Sequence, residues 1–391
     1  MSDTRTPSPA RPLLRSPWTR RLATAAVAAT CLTLAAAQSG ATATASARSP
    51  FVGPLHTVST IASTVPANGD VNPYGVAVVP RSVGRLHGGD VLVSNFNASS
   101  NLQGTGTTIV QVAPDGTASP FAAIDPAHLP GVCPGGVGLT TALSVLRNGW
   151  VIVGSLPTAD GTSATAQSGC LLVLDSRGRV QETITGHGLN GPWDMTALDL
   201  GDVTELFVTN VLNGTVAANG ATVHHGTVVR LLISSGPDYP PTVLDSRVIA
   251  SGFGERTDPA ALVVGPTGVA LDRQGTLYVA DSVGDRVAAI PNATWRGTDA
   301  GAGRTVTAGS ALNTPLGLAV APNGDVLTVN AGDGDLVETT GDGTQIAKRT
   351  LDTNGSPSGA GNLFGLAVAP DRRSLYFVDD FSNTLNRLSA P

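Results

Sequence analysis

The sequence is poor in charged and aromatic residues. Charged side chains make up 13% of the 391 residues, aromatic side chains make up 4%, and Lys348 is the single lysine. The formal net charge is −6. An acidic, sparsely charged surface argues against nucleic acids and anionic lipids as partners. Arginine used in place of lysine is typical of a GC-rich genome, so we expect a bacterial protein.

Long helical patterns are also missing. After residue 50 no segment sustains helical periodicity, and no apolar run reaches the ~20 residues that a membrane-spanning helix needs. The chain instead has 47 glycines and 27 prolines, which separate short apolar segments. This composition predicts an all-β structure, and the length is enough for one large β domain.

The first 47 residues have the composition of a secretion signal peptide. Five arginines lie between residues 5 and 21, an apolar run follows over residues 22–37, and small residues end the segment at 45–47. The pattern predicts cleavage near Ala47, a linker over residues 48–53, and a secreted protein without membrane attachment. The apolar run is short for a membrane anchor, which is the alternative. Arg20 and Arg21 fit both the Sec and the twin-arginine export routes.

Two cysteines follow the predicted signal peptide, Cys133 and Cys170. In an oxidising exported setting an even pair indicates a disulfide bond. A reactive thiol or a metal-binding pair is the alternative, but no C-x-x-C spacing is present to favour it.

One three-strand pattern recurs along the chain. Its most regular copy covers residues 265–290, with apolar strands at 269–271, 277–280 and 286–290 separated by turns rich in Gly and Asp. Related copies begin near residues 72, 137, 192, 315 and 363. Self-similarity at about 45–75 residues predicts the blades of a six-bladed β-propeller over residues 54–391.

Each blade of a propeller needs a fourth, outer strand. Residues 119–122 and 304–308 are candidates between copies, but the sixth copy has no such segment after it. Residues 56–64 form an isolated strand-like segment before the first copy. We expect this segment to complete the last blade, because closing the ring removes exposed strand edges. The predicted fold is therefore an all-β propeller of four-stranded antiparallel blades.

The strand openings of the form Pro-x-Gly-(Val/Leu)-Ala, and the Tyr-Val-Ala-Asp at 278–281, resemble NHL repeats. The resemblance is clearest over residues 265–290, 313–340 and 362–388, and looser in the first three copies. It implies a six-bladed propeller of the NHL-like and gluconolactonase-like superfamily. Such propellers include lyases, lactonases, copper or zinc enzymes and pure binding modules, so function must be argued from the site.

Long connections gather on one side of the predicted ring. In a four-stranded meander, the segment before the first strand and the loop between the second and third strands share one face. The longest connections belong to this group: residues 96–107, 118–136, 156–169, 211–226 and 234–264. We call this side the long-loop face. We expect the binding site there, because functional residues concentrate on variable loops held by a rigid scaffold.

Two rings of residues are expected at the channel mouth on this face. The first strands contribute Gly75, Gly138, Asp194, Gly268, Gly317 and Gly365. Glycine permits close backbone approach at the crowded axis. The ends of the second strands contribute Asn95, Ser155, Asn210, Asp281, Asn330 and Asp379.

The oxygen atoms of the second ring suit a hard cation such as calcium. The candidate metal ligands are Asp281, Asn330 and Asp379, and the candidate ligand-binding residues are Asn95 and Asn210. The alternative is structural, because Asp or Asn at the end of a strand also caps a turn through its own backbone.

The third copy departs most from the repeat. Asp194 replaces the glycine of the first ring, and His187 lies seven residues before it. We predict these two residues as catalytic. We predict as ligand-binding residues Trp193, Asn190, His224 and His225. Two imidazoles with Asp194 also fit a zinc or copper site.

Gluconolactonase-like proteins carry Glu-Gly-Pro where this chain has Asn190-Gly191-Pro192. The missing glutamate lowers the expectation of an enzyme. The predicted function is the binding of a small molecule, a glycan or an envelope protein on the long-loop face by a monomer. The alternative is a metal-assisted lyase or lactone hydrolase, in which calcium or zinc polarises a carbonyl and His187 moves a proton.

Overall fold

The computed structural model describes residues 49–259 and 261–391, so the predicted signal peptide lies outside the described residues. The first nine strands are β1 (Thr57–Ser63), β2 (Val71–Val78), β3 (Val91–Asn97), β4 (Thr108–Val112), β5 (Ala118–Ala123), β6 (Leu139–Val145), β7 (Val151–Ser155), β8 (Cys170–Leu174) and β9 (Val180–Ile184). The third blade contains β10 (Pro192–Asp199), β11 (Val203–Asn210), β12 (Val223–Ser234), β13 (Thr242–Asp258) and β14 (Leu262–Val264).

The remaining strands are β15 (Pro266–Leu271), β16 (Leu277–Asp281), β17 (Arg286–Ile290), β18 (Arg304–Ala308), β19 (Pro315–Val320), β20 (Val326–Asn330), β21 (Asp335–Thr339), β22 (Gln345–Thr350), β23 (Leu363–Val368), β24 (Leu375–Asp379) and β25 (Thr384–Ser389). Within residues 49–259 and 261–391, helical structure is limited to Pro126–His128, Ser163–Thr165 and α1 (Thr215–Ala218). Among the described residues, no helix has the length and apolar character needed to cross a membrane.

The strands form six antiparallel sheets, which are the blades of a propeller. Blades 1 to 5 are β2–β5, β6–β9, β10–β14, β15–β18 and β19–β22, and blade 6 is β23–β25 with β1. The first strand of each blade is the inner one, and the inner strands contact one another in sequence around the ring. The predicted six-bladed propeller is confirmed, and the predicted outer strands at 119–122 and 304–308 correspond to β5 and β18.

The N-terminal strand closes the ring, as predicted. Strand β1 pairs antiparallel with β25, from Thr57 opposite Ser389 to Ser63 opposite Thr384. The segment before β1 is anchored to blade 5, because the backbone amides of Phe51 and Val52 donate to the carboxylate of Glu338 at 2.7 and 2.9 Å. The two ends of the described chain are therefore joined through one sheet.

The core lies between the faces of neighbouring blades. The middle strands β7, β8 and β20 are buried at every residue. Such strands have apolar side chains on both faces. Their sequences are therefore continuous apolar runs and do not alternate between apolar and polar residues. The outer strand β18, in contrast, has no buried residue.

Glycines of the inner strands allow neighbouring blades to approach closely. A Cβ atom at Gly317 would lie 1.9 Å from the carbonyl oxygen of Phe364, and one at Gly268 would lie 2.2 Å from that of Leu316. Both distances are far shorter than any real contact. Glycine is therefore required at these positions because the next inner strand passes directly against the backbone.

The second blade corrects one predicted ring position. Leu139 pairs with Ser155, the last residue of the second strand. In the other blades, the residue at this pairing position is a Pro or Leu that lies two residues before the ring position. Gly138 thus precedes strand β6 and does not belong to the first ring. The blade also has an irregular register between Leu139 and Leu143.

The predicted long loop over residues 234–264 is wrong for most of its length. Strand β13 occupies 17 residues of it, Thr242–Asp258, and β14 follows as a fifth strand. Because β13 is an outer strand with many exposed side chains, it lacks the apolar run that identified the other strands. In the pairing of β13 with β14, Asp258 lies opposite Leu262 and Arg256 lies opposite Val264. We call these two paired segments the β13–β14 hairpin.

A disulfide bond joins Cys133 and Cys170, as predicted, across 37 positions of sequence. Cys170 is the first residue of β8, and Cys133 lies in the connection that precedes β6. The bond therefore links two connections of the second blade on the long-loop face.

Candidate functional site

The long-loop end of the central channel is filled by aromatic side chains. Tyr74 stacks on Phe96 and Phe364 with ring centroids 4.4 and 3.9 Å apart, and Trp193 lies 6.4 Å from Tyr74. All four side chains are at most 2% exposed. We call these four residues the aromatic plug. Trp193, a predicted ligand-binding residue, is therefore part of a packed cluster that closes the channel.

The opposite end of the channel is open. In the inner strands of blades 2 to 6 the first four residues are all buried, and partly exposed residues occur only toward the other end. That end carries the tight turns between the first and second strands, and we call it the tight-turn face. Access to the channel is therefore from the face opposite to the long loops.

A cavity of about 370 Å³ lies outside the aromatic plug on the long-loop face. Its floor includes Leu316 and Phe364, and one wall is the β13–β14 hairpin. The remaining walls come from the connections that precede and follow blade 5 and from the connection between β20 and β21: Thr314, Ala331, Gly332, Ser356, Pro357, Ala360 and Gly361. We call it the mouth cavity. A cavity of this size with a mainly apolar lining is typical of small-molecule sites.

Two carboxylates lie at the mouth. Asp258 lines the mouth cavity and pairs with Arg256 at 3.0 Å. The backbone amide of Asp380 donates to the carbonyl oxygen of Asn362, which is next to the cavity wall. Burial, with a smaller contribution from the neighbouring Asp379, raises the pKa of Asp380 to about 7. The acidic groups at the mouth are therefore one carboxylate that is paired with an arginine and one whose ionisation is disfavoured by burial.

A second cavity, of about 320 Å³, occupies the channel on the tight-turn side of the plug. We call it the channel cavity. Asp194 lines it with a side chain that is 8% exposed. One carboxyl oxygen accepts from the Met195 amide at 2.8 Å, and the other accepts from the Val269 amide at 3.0 Å. Burial raises the pKa of Asp194 to about 8 against the opposing effect of these two hydrogen bonds.

The structure does not bring His187 to Asp194. His187 is exposed, adopts a φ of 54°, and contacts the Ser246 hydroxyl at 3.2 Å. Ser246 belongs to the outer strand β13, whereas Asp194 belongs to the inner strand β10. The two predicted catalytic residues are thus on opposite edges of the third blade.

The other predicted residues of the third blade bond locally. Asn190 donates to the carbonyl oxygen of Leu212 at 2.9 Å and to the side chain of Asn213 at 2.7 Å. The backbone amide of Asn190 donates to the side-chain oxygen of Asn210 at 3.1 Å. His224 and His225 are exposed at the start of β12. The structure places neither histidine beside Asp194.

Residues of the second ring are used in local contacts. Asp281 forms an ion pair with Arg286 at 2.7 Å, and Asp379 accepts from the Ser382 amide at 3.1 Å. Asn330 donates to Ala311 at 2.8 Å, and Asn95 donates to Thr64 at 2.9 Å, each toward a backbone carbonyl. These contacts hold connecting segments to strand ends, which is the structural role left open by the sequence.

The calcium or zinc ion that the sequence suggested stays a prediction, because its candidate ligands include asparagine as well as aspartate. Across residues 49–259 and 261–391, no group of three or more His, Cys, Asp or Glu side chains is placed to hold a metal ion. The carboxylate of Asp281 is already paired with arginine, and both oxygens of Asp194 accept backbone amides. We therefore derive no chemical step through a metal.

One buried acid, Glu255 of β13, was not among the residues predicted from the sequence. Its side chain is fully buried, one oxygen accepts from the Asn213 amide at 3.0 Å, and burial raises its pKa to about 7. Glu255 fell in a segment that was predicted to be a loop, so no signal marked it as buried. It supports the connection after β11 and does not line either cavity.

Comparisons with known proteins support the fold. No family model and no curated protein sequence matches the chain. A luciferin-regenerating enzyme has a TM-score of 0.54 at 11% identity, over 85% of this chain and 95% of that one. A gluconolactonase from Xanthomonas campestris has a TM-score of 0.53 at 15% identity, over 85% and 89% of the two chains.

A streptogramin B lyase has a TM-score of 0.51 at 13% identity, over 86% of this chain and 98% of that one. At these identities the similarity shows the fold alone. The resemblance to NHL-like and gluconolactonase-like propellers is thus confirmed as a shared six-bladed architecture.

Proposed function

We propose that the protein binds a small, largely apolar molecule in the mouth cavity on its long-loop face. The observation that carries this proposal is the cavity itself, about 370 Å³ in volume, which is floored by Leu316 and Phe364. Its walls come from three separate connections, so the scaffold fixes their relative positions. Small-molecule sites have this size and this mixture of many apolar groups with few polar ones.

Charge narrows the class of ligand. Asp258 and Asp380 are the acidic groups at the mouth, and the whole chain has a net charge of −6. Neither group attracts an anionic ligand, and the neighbouring cation Arg256 is already paired with Asp258. The ligand in this proposal is therefore neutral or cationic.

A small molecule fits better than a glycan. Sugar rings bind by stacking on exposed aromatic side chains, and such side chains are scattered over the described surface. Phe381 is 58% exposed in the connection after β24, while Trp295 and Tyr239 are exposed in connections on the tight-turn face. Apart from Phe381, which follows Asp380, the aromatic residues described near the mouth are buried in the plug.

The alternative is an enzyme of the lactone hydrolase or lyase class. Its support is the fold shared with the gluconolactonase and the streptogramin B lyase. Asp194 and His187 do not meet in this chain, so an enzyme would need a different pair of residues. In either case we propose an exported monomer, supported by the N-terminal segment and by the disulfide bond.

Ligand-observed NMR with a library of neutral and cationic fragments tests the binding proposal. Fragments that bind the purified protein should lose binding in Ala360→Trp, because the indole fills the mouth cavity. Ala127→Trp is the matched control, since Ala127 is exposed on the same face and lies outside the cavity. Fragment binding that is unchanged in Ala360→Trp would overturn the proposal, as would the absence of any binding fragment.

A further inference from the structure

The channel cavity has a single ionisable lining residue, Asp194. The other polar side chains in its lining are Thr141, Ser144 and Thr196, and the rest of the lining is glycine or apolar. The apolar part includes leucine and valine side chains from several inner strands: Val76, Leu143, Val269, Leu318, Val320, Leu366 and Val368. One acid in such a lining is a specific feature rather than general surface polarity.

Asp194 occupies a position where four other blades have glycine: Gly75, Gly268, Gly317 and Gly365. At Gly365 a Cβ atom would lie 2.3 Å from the carbonyl oxygen of Tyr74, so the next inner strand leaves no space for a side chain there. Between blades 3 and 4 the structure instead accommodates a carboxyl group. Its location at the plugged end makes it the floor of the cavity.

The hydrogen bonds of Asp194 leave capacity for a ligand. Each carboxyl oxygen accepts one backbone amide, from Met195 and from Val269. A carboxylate has about four lone-pair positions, so two remain. Among the ion pairs of the described residues, none involves Asp194. A buried carboxylate without a cation is unfavourable, and a bound cation would remove that penalty.

A second polar group in the same lining is independent of Asp194. Thr141 of β6 lines the channel cavity and is 4% exposed. Its hydroxyl has no hydrogen-bond partner among the described residues. Buried hydroxyl groups are normally hydrogen-bonded, so this one keeps the capacity to accept a hydrogen bond.

We propose that the channel cavity is a second binding site, which takes a small aliphatic primary ammonium compound from the tight-turn face. The ammonium group donates to the Asp194 carboxylate and to the Thr141 hydroxyl, and the aliphatic part packs on Leu143, Leu318 and Val320. An ammonium group has three N–H donors, which matches the two carboxylate oxygens and the one hydroxyl. A bound cation stabilises the ionised form of the Asp194 carboxyl group, whereas a neutral alcohol supplies no counter-charge and an anion would be repelled by the carboxylate.

An NMR titration with n-butylammonium chloride tests this proposal, with n-butanol and sodium butyrate as probes of the same chain length. We expect saturable binding of n-butylammonium, and binding of the two other probes that is about tenfold weaker or absent. Asp194→Asn should weaken n-butylammonium binding by about tenfold or more, and Thr141→Val should weaken it by about fivefold. Asp115→Asn, an exposed turn residue, is the control.

A third variant keeps the proposal testable if Asp194→Asn or Thr141→Val does not fold. Thr196 is partly exposed and lines the cavity, so Thr196→Trp should block it without removing the carboxylate. Equal binding of n-butanol and n-butylammonium, or unchanged n-butylammonium binding in both Asp194→Asn and Thr196→Trp, would overturn the proposal. In Ala360→Trp, whose mouth cavity is filled, the part of n-butylammonium binding that depends on Asp194 should remain, so this site can fail or succeed separately from the mouth cavity.

Discussion

The indole N–H of Trp193 donates a hydrogen bond to the backbone carbonyl of Val263, 3.0 Å away. This contact joins the inner strand β10 to the β13–β14 hairpin, and it lies within the packed aromatic cluster that closes the channel. Trp193 is only 2% exposed. A residue that sequence reasoning assigned to ligand binding is therefore a structural link at the boundary of the mouth cavity.

Trp193→Phe should destabilise the protein by about 2 kcal/mol. The substitution keeps an aromatic ring in the plug but leaves the buried carbonyl of Val263 without its donor, and an unsatisfied buried acceptor costs about 1–3 kcal/mol. Urea unfolding followed by circular dichroism measures the difference. Trp295→Phe is the control, because Trp295 is 87% exposed and its change should stay within about 0.5 kcal/mol. Equal midpoints for Trp193→Phe and wild type would contradict the structural link.

Gly317→Ala should destabilise the propeller by about 3 kcal/mol. The added methyl group would overlap the carbonyl oxygen of Phe364 in the next inner strand, and overpacking of this kind costs about 1–3 kcal/mol. Gly297→Ala is a matched control, since a Cβ there would have nothing within 4 Å. Thermal unfolding of both variants compares them. If the two variants melt at the same temperature, the inner strands do not approach each other at Gly317 as closely as described.

The architecture could be predicted because the buried middle strands have a recognisable sequence pattern. Strands such as β16 and β24 are buried on both faces, so they appear as aliphatic runs ending in Asp281 and Asp379. Turns rich in glycine and aspartate separate them at a regular spacing. The role of residues 56–64 followed from the need to close the ring, and the pairing of β1 with β25 confirmed it.

The site could not be predicted in the same way, because it depends on the direction of side chains. Asp194 and His187 are seven positions apart in sequence but lie on opposite edges of one blade. Nothing in the sequence shows that four aromatic residues from four segments fill the long-loop end of the channel. Outer strand β13 was missed because one exposed face removes the apolar run, and with it Glu255 and one wall of the mouth cavity were missed as well.

Removal of the disulfide should destabilise the second blade. Cys133 and Cys170 close a loop with a sequence separation of 37, and the chain-entropy relation gives about 4 kcal/mol for a loop of this length. The double variant Cys133→Ala, Cys170→Ala should therefore unfold at lower urea concentration. Wild type that is unfolded, reduced and kept reduced during refolding should show a loss of similar size. Equal stability of the oxidised and cysteine-free proteins would contradict this expectation.

Stability should fall as the pH rises from about 4.5 to about 7, in part because of Glu255. Burial raises the pKa of this residue from 4.5 to about 7, so the folded protein keeps a proton in this range that the unfolded chain has lost. The stabilising effect of that proton is fully present below pH 4.5 and is lost as the pH passes through about 7. One pKa unit corresponds to about 1.4 kcal/mol, so Glu255 should account for about 3 kcal/mol of the fall.

Glu255→Gln isolates this contribution, because an amide resembles the protonated acid and can still accept the hydrogen bond from the Asn213 amide. Urea unfolding at a series of pH values should give a shallower fall for Glu255→Gln than for wild type, by about 3 kcal/mol between pH 4.5 and 7. Asp194, whose pKa burial raises to about 8, contributes in the same direction in both proteins and therefore cancels in the comparison. Glu182→Gln, in the outer strand β9, should keep the wild-type slope. If Glu255→Gln has the wild-type slope as well, Glu255 is ionised in the folded protein and the physical account of its burial is wrong.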